Sequence, residues 1–427
     1  MCRSAARVLS ILLLLAFVPG RAAQDFRELG TQAAEAYRAG DFSRMQQRLE
    51  SALQLRPGHP ATRYNLACAQ AMAGKTAAAV ATLGSLAGQG LYYDLAAEND
   101  FNPLRALPSF AALEDRIARN REPVGRARRV FMVPNTTFIA EGIAFDRDTG
   151  SYFLGGVHAR AIVRAKQGEV RPFAGGAVGG LLAPFGMVAD SRRRLLWVVH
   201  AGVEEMTGAS AADLGRSGLI AFDLDTGQVR RRALLPEDSA HQLGDLALAP
   251  DGKIYLSDAK GGSVFRFDST RGTFESLLAP DALVSAQGLV VSRDGGTLYV
   301  ADYARGLFAI DLETSVLAQV LPSDDVHLFG IDGLSRHDDE LIAIQNGYRP
   351  HRILGIRLDK TGRRVAKSRV LAAALPEFEQ PTLGVVAGDG LSFVANSQWN
   401  RFDQHHQLPD RATMKNPLVL RVSLVGE

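Results

Sequence analysis

Apolar and polar residues alternate with a period of two through most of residues 129–424, in short stretches separated by turn residues. Alternation of this kind predicts β-strands, and an Asp-Gly pair between two of them predicts a hairpin. The pattern is clearest at residues 244–258 and 287–302, where a strand, an Asp-Gly turn, a second strand and a carboxylate follow one another. Because the same unit recurs, this region is predicted to be built from repeated hairpins.

Six copies of the unit can be aligned on the residue that opens the first strand, namely Glu141, Phe185, Gly244, Gln287, Asp332 and Leu383. The steps between these residues are 44, 59, 43, 45 and 51. A second and a third apolar strand follow in each copy, and units of about 40 to 45 residues with four short antiparallel strands are typical of propeller blades. We therefore predict a six-bladed β-propeller. Residues 129–134 are expected to close the ring as the outer strand of the last blade, beside residues 418–424.

Residues 24–122 lose this alternation and show apolar residues at helical spacing instead. Two segments within them align, and their glycines, Gly40 and Gly74, are 34 residues apart, which is the period of tetratricopeptide repeats. The predicted fold class is thus an all-β six-bladed propeller, residues 129–427, preceded by an α-helical tetratricopeptide-like domain and a linker at residues 123–128. The helical domain either binds a protein or peptide partner or acts as a stabilising cap.

The first 23 residues have a third pattern, in which Arg3 and Arg7 precede an apolar run and the small pair Ala22 and Ala23. This pattern predicts a secretory signal peptide, and its apolar run is too short to span a membrane. We expect an exported protein, periplasmic or secreted, with no membrane span after cleavage. The chain has 48 basic and 46 acidic residues, a balance that argues against a nucleic-acid partner.

The first strand of each propeller blade lines the central channel, so the six opening residues are expected to meet at one channel mouth. Three of them carry oxygen donors: Glu141, Gln287 and Asp332. Two carboxylates and an amide suit Ca²⁺, or else Mg²⁺ or Mn²⁺, better than Zn²⁺. The predicted cofactor is therefore one divalent cation. Ca²⁺ is the preferred ion, and Mg²⁺, Mn²⁺ and Zn²⁺ are the alternatives.

The Glu141-Gly-Ile-Ala-Phe opening, the hairpins at 245–258 and 287–302, and the Asp332-Gly-Leu start resemble the regucalcin and gluconolactonase family of six-bladed propellers. More distantly, they are similar to paraoxonase and strictosidine synthase. The resemblance covers roughly residues 129–424 and implies that Glu141, Gln287 and Asp332 hold the metal ion. Gln287 stands where the family has Asn, and Gly244 stands where it has a second Asn, just before Asp245.

This resemblance implies a hydrolase that opens a small lactone or ester. The ion would polarise the carbonyl group, and Asp332 would activate the attacking water as a general base. Asp332 as a ligand without a catalytic role remains open. A second possibility is a non-enzymatic ligand-binding or protein-interaction propeller with a structural metal, whose helical repeats recruit a partner. A third, a redox propeller with a quinone cofactor, is disfavoured because the chain has two tryptophans.

The second strand of each blade returns to the same mouth, so residues at its end are candidates for binding the substrate. The candidates at strand ends are His200, Asp258, Asp302, Asn346 and Asn396. Two further candidates are Asp245 and the loop residue Trp399. Asp and Asn at strand ends can instead bond to turn amides, which is the structural alternative. Two long insertions, at 201–217 and 397–417, belong to the blades that flank blade one. They are predicted to form a lid over Glu141.

Overall fold

The computed structural model describes residues 21–176 and 178–425. The chain divides into two compact units. The first contains the chain up to residue 123 with the short segments 322–329 and 347–350, and the second contains the remaining residues. Residues 1–20, which form most of the predicted signal peptide, lie outside the described residues. None of the helices in the described ranges is both long and apolar enough to cross a membrane.

The first unit is helical, as the sequence predicts. Its α-helices are α1 (Arg21–Arg38), α2 (Phe42–Leu55), α3 (Pro60–Met72), α4 (Thr76–Gly88) and α5 (Pro108–Arg119), with a 3₁₀ helix at Asn99–Leu104. Gly40 and Gly74 follow α1 and α3 with φ of 72° and 77°, the left-handed conformation that commonly ends a helix. The tetratricopeptide assignment itself stays a prediction.

Helix α3 lies at the centre of this unit and buries Tyr64 and Ala67 against α4 and the 3₁₀ helix. Two segments from much later in the chain complete the packing. The ring of His59 lies 5.2 Å from that of Phe329, and the amide of Tyr92 donates to the carbonyl of Arg349 at 2.8 Å. Burial, together with the nearby positive charge of Arg56, lowers the pKa of His59 to about 3, so this ring is neutral.

The second unit is the predicted six-bladed propeller, composed of six four-stranded antiparallel sheets. Five blades use consecutive strands: β2 to β5, β6 to β9, β10 to β13, β14 to β17 and β18 to β21. The strands are β1 (Arg128–Met132), β2 (Ala140–Asp146), β3 (Ser151–Gly156), β4 (Ala161–Lys166), β5 (Glu169–Gly175), β6 (Ala183–Asp190), β7 (Leu195–Ala201), β8 (Ser217–Asp223), β9 (Val229–Leu234), β10 (Leu243–Leu248), β11 (Ile254–Asp258), β12 (Ser263–Asp268), β13 (Thr273–Leu278), β14 (Ala286–Val291), β15 (Thr297–Asp302), β16 (Gly306–Asp311), β17 (Leu317–Gln319), β18 (Ile331–His337), β19 (Glu340–Gln345), β20 (Arg352–Leu358), β21 (Val365–Ala373), β22 (Gly384–Ala387), β23 (Gly390–Val394) and β24 (Leu418–Ser423).

The sixth blade combines the two ends of the propeller sequence. Its strand order is β1-β24-β23-β22, and β1 pairs antiparallel with β24 so that Phe131 lies opposite Val419. Both side chains are buried, with 3% and 0% of their surface exposed. The predicted closure of the ring is therefore confirmed. It covers strand edges that an open ring would leave unpaired.

Candidate active site at the channel mouth

The six residues on which the copies align lie at the same place in their blades. Five of them stand at a shift in register between the first and second strands, where the first strand has one extra residue: Glu141, Phe185, Gly244, Gln287 and Asp332. A shift of this kind is a β-bulge, which frees a residue from the pairing ladder and redirects its side chain. In the sixth blade, Leu383 directly precedes β22. The bulges release these positions from the regular alternation of their strands.

A glycine follows the opening residue in five of the six copies, because neighbouring blades approach closely there. A Cβ atom added to Gly142 would lie 1.8 Å from the carbonyl oxygen of Phe185 in the next blade. In the third blade the order is reversed, and Asp245 occupies the position of the glycine. Its carboxylate accepts hydrogen bonds from the backbone amides of Leu246 and Leu289, the latter in the fourth blade.

Glu141 is buried, with 8% of its surface exposed. Its Oε2 accepts a hydrogen bond of 2.6 Å from the indole Nε1 of Trp399. Burial raises the pKa of Glu141 well above its ordinary value, and the negative charges of Asp332 and Asp245 raise it further. The bond from Trp399 opposes this increase but does not cancel it.

Asp332 is held by a chain of side chains that begins on the fourth blade. Tyr303 donates its hydroxyl hydrogen to Asn346 Oδ1 at 2.9 Å, and Asn346 Nδ2 donates to Asp332 Oδ2 at 2.6 Å. Asn346 Nδ2 also donates to the carbonyl of Pro381 at 2.8 Å, which fixes the orientation of the amide. Burial raises the pKa of Asp332 despite the bond from Asn346. Asn346 therefore orients the carboxylate that the sequence assigns to catalysis.

Asp245 completes a cluster of three carboxylates. Burial raises its pKa to about 7 against the two backbone hydrogen bonds, and the charge of Asp332 adds to the increase. The side chain keeps some accessible surface, as expected for a group that faces the channel. The channel mouth thus concentrates negative charge where solvent screens it poorly, and such charge requires a cation or bound protons.

The carboxylate and amide oxygens at the mouth are the kind of ligand that suits a hard divalent cation. Gln287 Nε2 donates to Ser285 Oγ at 2.9 Å, and Oε1 of the same amide lies 3.6 Å from where a Cβ on Gly244 would stand. Within residues 21–176 and 178–425, no group of three or more His, Cys, Asp and Glu side chains is arranged to hold a metal ion. The predicted set of Glu141, Gln287 and Asp332 has two carboxylates and an amide, and it stays a prediction.

One of the two long insertions, that of blade six, contacts Glu141. The blade-six insertion carries Trp399, whose ring stacks on that of Phe185 with centroids 6.2 Å apart. The base of this insertion is fixed by Gln398, which exchanges two 2.9 Å hydrogen bonds with the backbone of Lys415. Trp399 is thereby held above the mouth as part of an ordered loop.

The two insertions are also joined to each other. In the blade-six insertion, His406 directs Nδ1 to Glu205 Oε1 at 2.8 Å and Nε2 to Glu204 Oε2 at 2.5 Å. Both glutamates belong to the blade-two insertion. We call this three-residue contact the latch.

The remaining candidates end their strands near the mouth and form hydrogen bonds to the protein itself. Asp302 accepts from the amides of Val284, Ala304 and Arg305 at 2.8, 3.0 and 3.1 Å. Asn396 Oδ1 accepts from the amide of Leu418 at 2.7 Å. Hydrogen bonds to backbone amides are expected if Asp302 and Asn396 have a structural role. A role for the two residues in binding a substrate stays a prediction.

Asp258 and His200 have similar surroundings. Asp258 is fully buried, and hydrogen bonds from His241, at 2.6 Å, and from two backbone amides hold its pKa below the usual range although burial raises it. His200 Nδ1 accepts from the amide of Leu182 at 3.3 Å. Burial, with the charges of Arg232 and Arg216, lowers the pKa of His200 to about 3, so the ring is neutral.

Several solved structures resemble this chain at low sequence identity. The solved structures that resemble this chain include a calcium-binding regucalcin from Agrobacterium tumefaciens strain C58, with 17% identity and a TM-score of 0.49 over 70% of this chain and 95% of that one. A gluconolactonase from Xanthomonas campestris has 16% identity and a TM-score of 0.48 over 70% and 90%. The aldose sugar dehydrogenase of Streptomyces coelicolor, bound to pyrroloquinoline quinone, has 15% identity and a TM-score of 0.48 over 71% and 98%.

No protein-family model and no curated protein sequence matches the chain. The three structures are named for a calcium-binding protein, a gluconolactonase and an aldose sugar dehydrogenase. The activity of this chain has to be argued from its own side chains.

Proposed function

We propose that the protein is an exported, divalent-metal-dependent hydrolase that opens a small lactone or ester at the channel mouth. The observation that carries this proposal is the cluster of Glu141, Asp245 and Asp332. Burial raises the pKa of all three, the charges of Asp332 and Asp245 raise that of Glu141, and the charge of Asp332 raises that of Asp245. Such buried carboxylates are costly unless they bind a cation or share protons. Export is proposed from the pattern of residues 1–23.

Glu141, Gln287 and Asp332 would hold the ion, with Ca²⁺ as the cation best suited to three oxygen donors. When bound, the ion would act as a Lewis acid toward the substrate carbonyl. The residues of the chain supply the proton transfer and the exclusion of water. Trp399 and Phe185 cover Glu141 with aromatic surface, which favours an uncharged substrate and lowers the local dielectric.

Asp332 is the proposed general base. Its Oδ2 is engaged by Asn346, so Oδ1 is the atom that would take the proton from the attacking water. Its raised pKa is closer to neutral pH, and a general base is most effective when its pKa is close to the pH at which it works. Asn346 keeps the carboxylate in one orientation, and its own bonds to Tyr303 and Pro381 prevent the amide from rotating.

The experiment is hydrolysis of a panel of lactones by the purified protein, with Ca²⁺ or with a chelator, beside D332N. The matched control is D268N, which makes the same substitution at the last residue of β12. We expect the chelator to abolish turnover, D332N to lower it by about a hundredfold or more, and D268N to leave it unchanged. Turnover that survives both the chelator and D332N would contradict the metal-dependent mechanism.

A non-enzymatic ligand-binding or protein-interaction propeller with a structural metal is the second candidate. One contact favours it: Trp399 already donates to Glu141, so the mouth is covered and one oxygen of the predicted ligand is engaged. Recruitment of a partner by the helical domain belongs to this candidate. Absence of turnover on every lactone tested, with Ca²⁺ still bound in equilibrium dialysis, would favour it.

A further inference from the structure

The propeller channel contains a cavity of about 590 Å³ on the side away from Glu141. Its lining runs from Asp245, at the start of an inner strand, to Arg147 and Gly252, which follow the ends of inner strands. Every blade contributes apolar side chains to the wall, namely Ile143, Met187, Leu246, Leu289, Leu334 and Val385. The volume lies within the range of about 300 to 1,000 Å³ that is usual for small-molecule sites.

The outer end of this cavity is rich in arginine. Four arginines line it: Arg147, Arg192, Arg193 and Arg336. Arg147, Arg192 and Arg193 lie in turns after β2 and β6, and Arg336 is close to the end of β18. Because all inner strands run in the same direction along the channel, the four side chains belong to the end opposite Glu141, Gln287 and Asp332.

The acidic residues of the lining do not balance this charge. Asp190 pairs with Arg193 at 2.8 Å, and Asp148 lies 3.9 Å from Arg194, which is outside the lining. Asp245 is at the other end of the cavity. Arg336 donates to the backbone carbonyls of Val291 and Asp338, which carry no net charge.

An apolar wall with guanidinium groups at its opening is complementary to one kind of ligand. We propose that this end of the channel is a second binding site, which takes a small organic anion with its apolar part between the inner strands and its charged group at the arginines. Arg147, Arg192 and Arg193 are exposed, and Arg193 is paired with Asp190. The guanidinium groups of Arg147 and Arg192 can bind a carboxylate, sulfonate or phosphate group through paired N–H donors. The site does not depend on the proposed hydrolase activity, since its arginines lie at the other end of the channel.

A pair of fluorescent probes tests this proposal. 8-Anilinonaphthalene-1-sulfonate carries a sulfonate group on an apolar body, and N-phenyl-1-naphthylamine has the same body without the charge. Each is titrated into the full-length protein, into the double variant R147A/R192A, and into the control R128A/R231A. The control removes two exposed arginines from outer strands β1 and β9, so it makes the same change in net charge.

We expect one molecule of the sulfonate to bind per chain, the neutral probe to bind more weakly, and added salt to weaken the sulfonate complex. R147A/R192A should bind the sulfonate at least about tenfold more weakly, because two charge-assisted contacts are lost. R128A/R231A should bind it as the native protein does. Equal binding by all three proteins, or no binding to the native protein, would overturn the proposal, and circular dichroism establishes that each variant is folded. D332N should retain the sulfonate site, so a failed hydrolysis experiment leaves this test intact.

Discussion

Replacement of Asp245 by asparagine tests the electrostatics of the channel most directly. Burial raises the pKa of Asp245 from 3.8 to about 7. The folded protein therefore holds this proton more tightly than the unfolded chain does, and the stability that the proton provides is present at low pH. That contribution is lost as the pH rises from about 4 through about 7.

The magnitude follows from the same shift. A change of about 3 pKa units corresponds to about 4 kcal/mol, since one unit is about 1.4 kcal/mol. Asparagine has the shape of the protonated acid and keeps one acceptor oxygen for the amides of Leu246 and Leu289. D245N should thus match the native stability near pH 4 and exceed it by about 2 to 4 kcal/mol at pH 8. The lower value allows for the carboxylate oxygen that asparagine replaces with an NH₂ group, which removes one hydrogen-bond acceptor.

The assay is urea unfolding at several pH values in the presence of a chelator, followed by tryptophan fluorescence. Both tryptophans, Trp197 and Trp399, belong to the propeller, so this signal reports the unit that contains Asp245. D238N, a substitution in the exposed loop before β10, serves as the control and should leave the pH dependence unchanged. A D245N variant that gains nothing at pH 8, or gains equally at both pH values, would refute the reasoning.

Two further predictions concern packing contacts. H406A removes the latch to Glu204 and Glu205 and should make trypsin cut the blade-six insertion several-fold faster. H405A, which changes the adjacent residue, is the control. Equal cleavage rates for the two variants would show that the latch does not hold the loop. F131A removes a buried ring from the closing strand and should lower the free energy of unfolding by about 3 to 5 kcal/mol in urea titrations. M132A, whose side chain is 41% exposed in the same strand, should cost far less, and a similar cost for both would argue against a role of closure in stability.

The blades and their closure could be predicted from the sequence because each strand carries its own two-residue period. Residues 129–134 were assigned to the last blade from an apolar stretch and the need to cover an edge, and β1 occupies that position. The departure at Gly244, just before Asp245, is also visible in the sequence. Its meaning required the contact with Leu289, which joins two blades.

Other parts of the site had no local signal. The bond from Trp399 to Glu141 spans 258 residues and comes from an insertion without periodicity. The latch likewise joins His406 to glutamates about 200 residues earlier. The segments 322–329 and 347–350 belong to the helical unit although their sequence neighbours form blades. Packing between distant segments determines such contacts, and hydrophobic periodicity does not report it.

The bulges at the inner ends of five blades have an evolutionary consequence. A residue in a bulge makes no ladder hydrogen bond of its own, so a substitution there leaves the pairing of the blade intact. Each blade can then acquire a new mouth residue independently of the others, and the number of possible combinations grows with every blade. Glu141 and Asp332 lie in different blades, so the acidic mouth of this protein could have arisen by single substitutions in an unchanged scaffold.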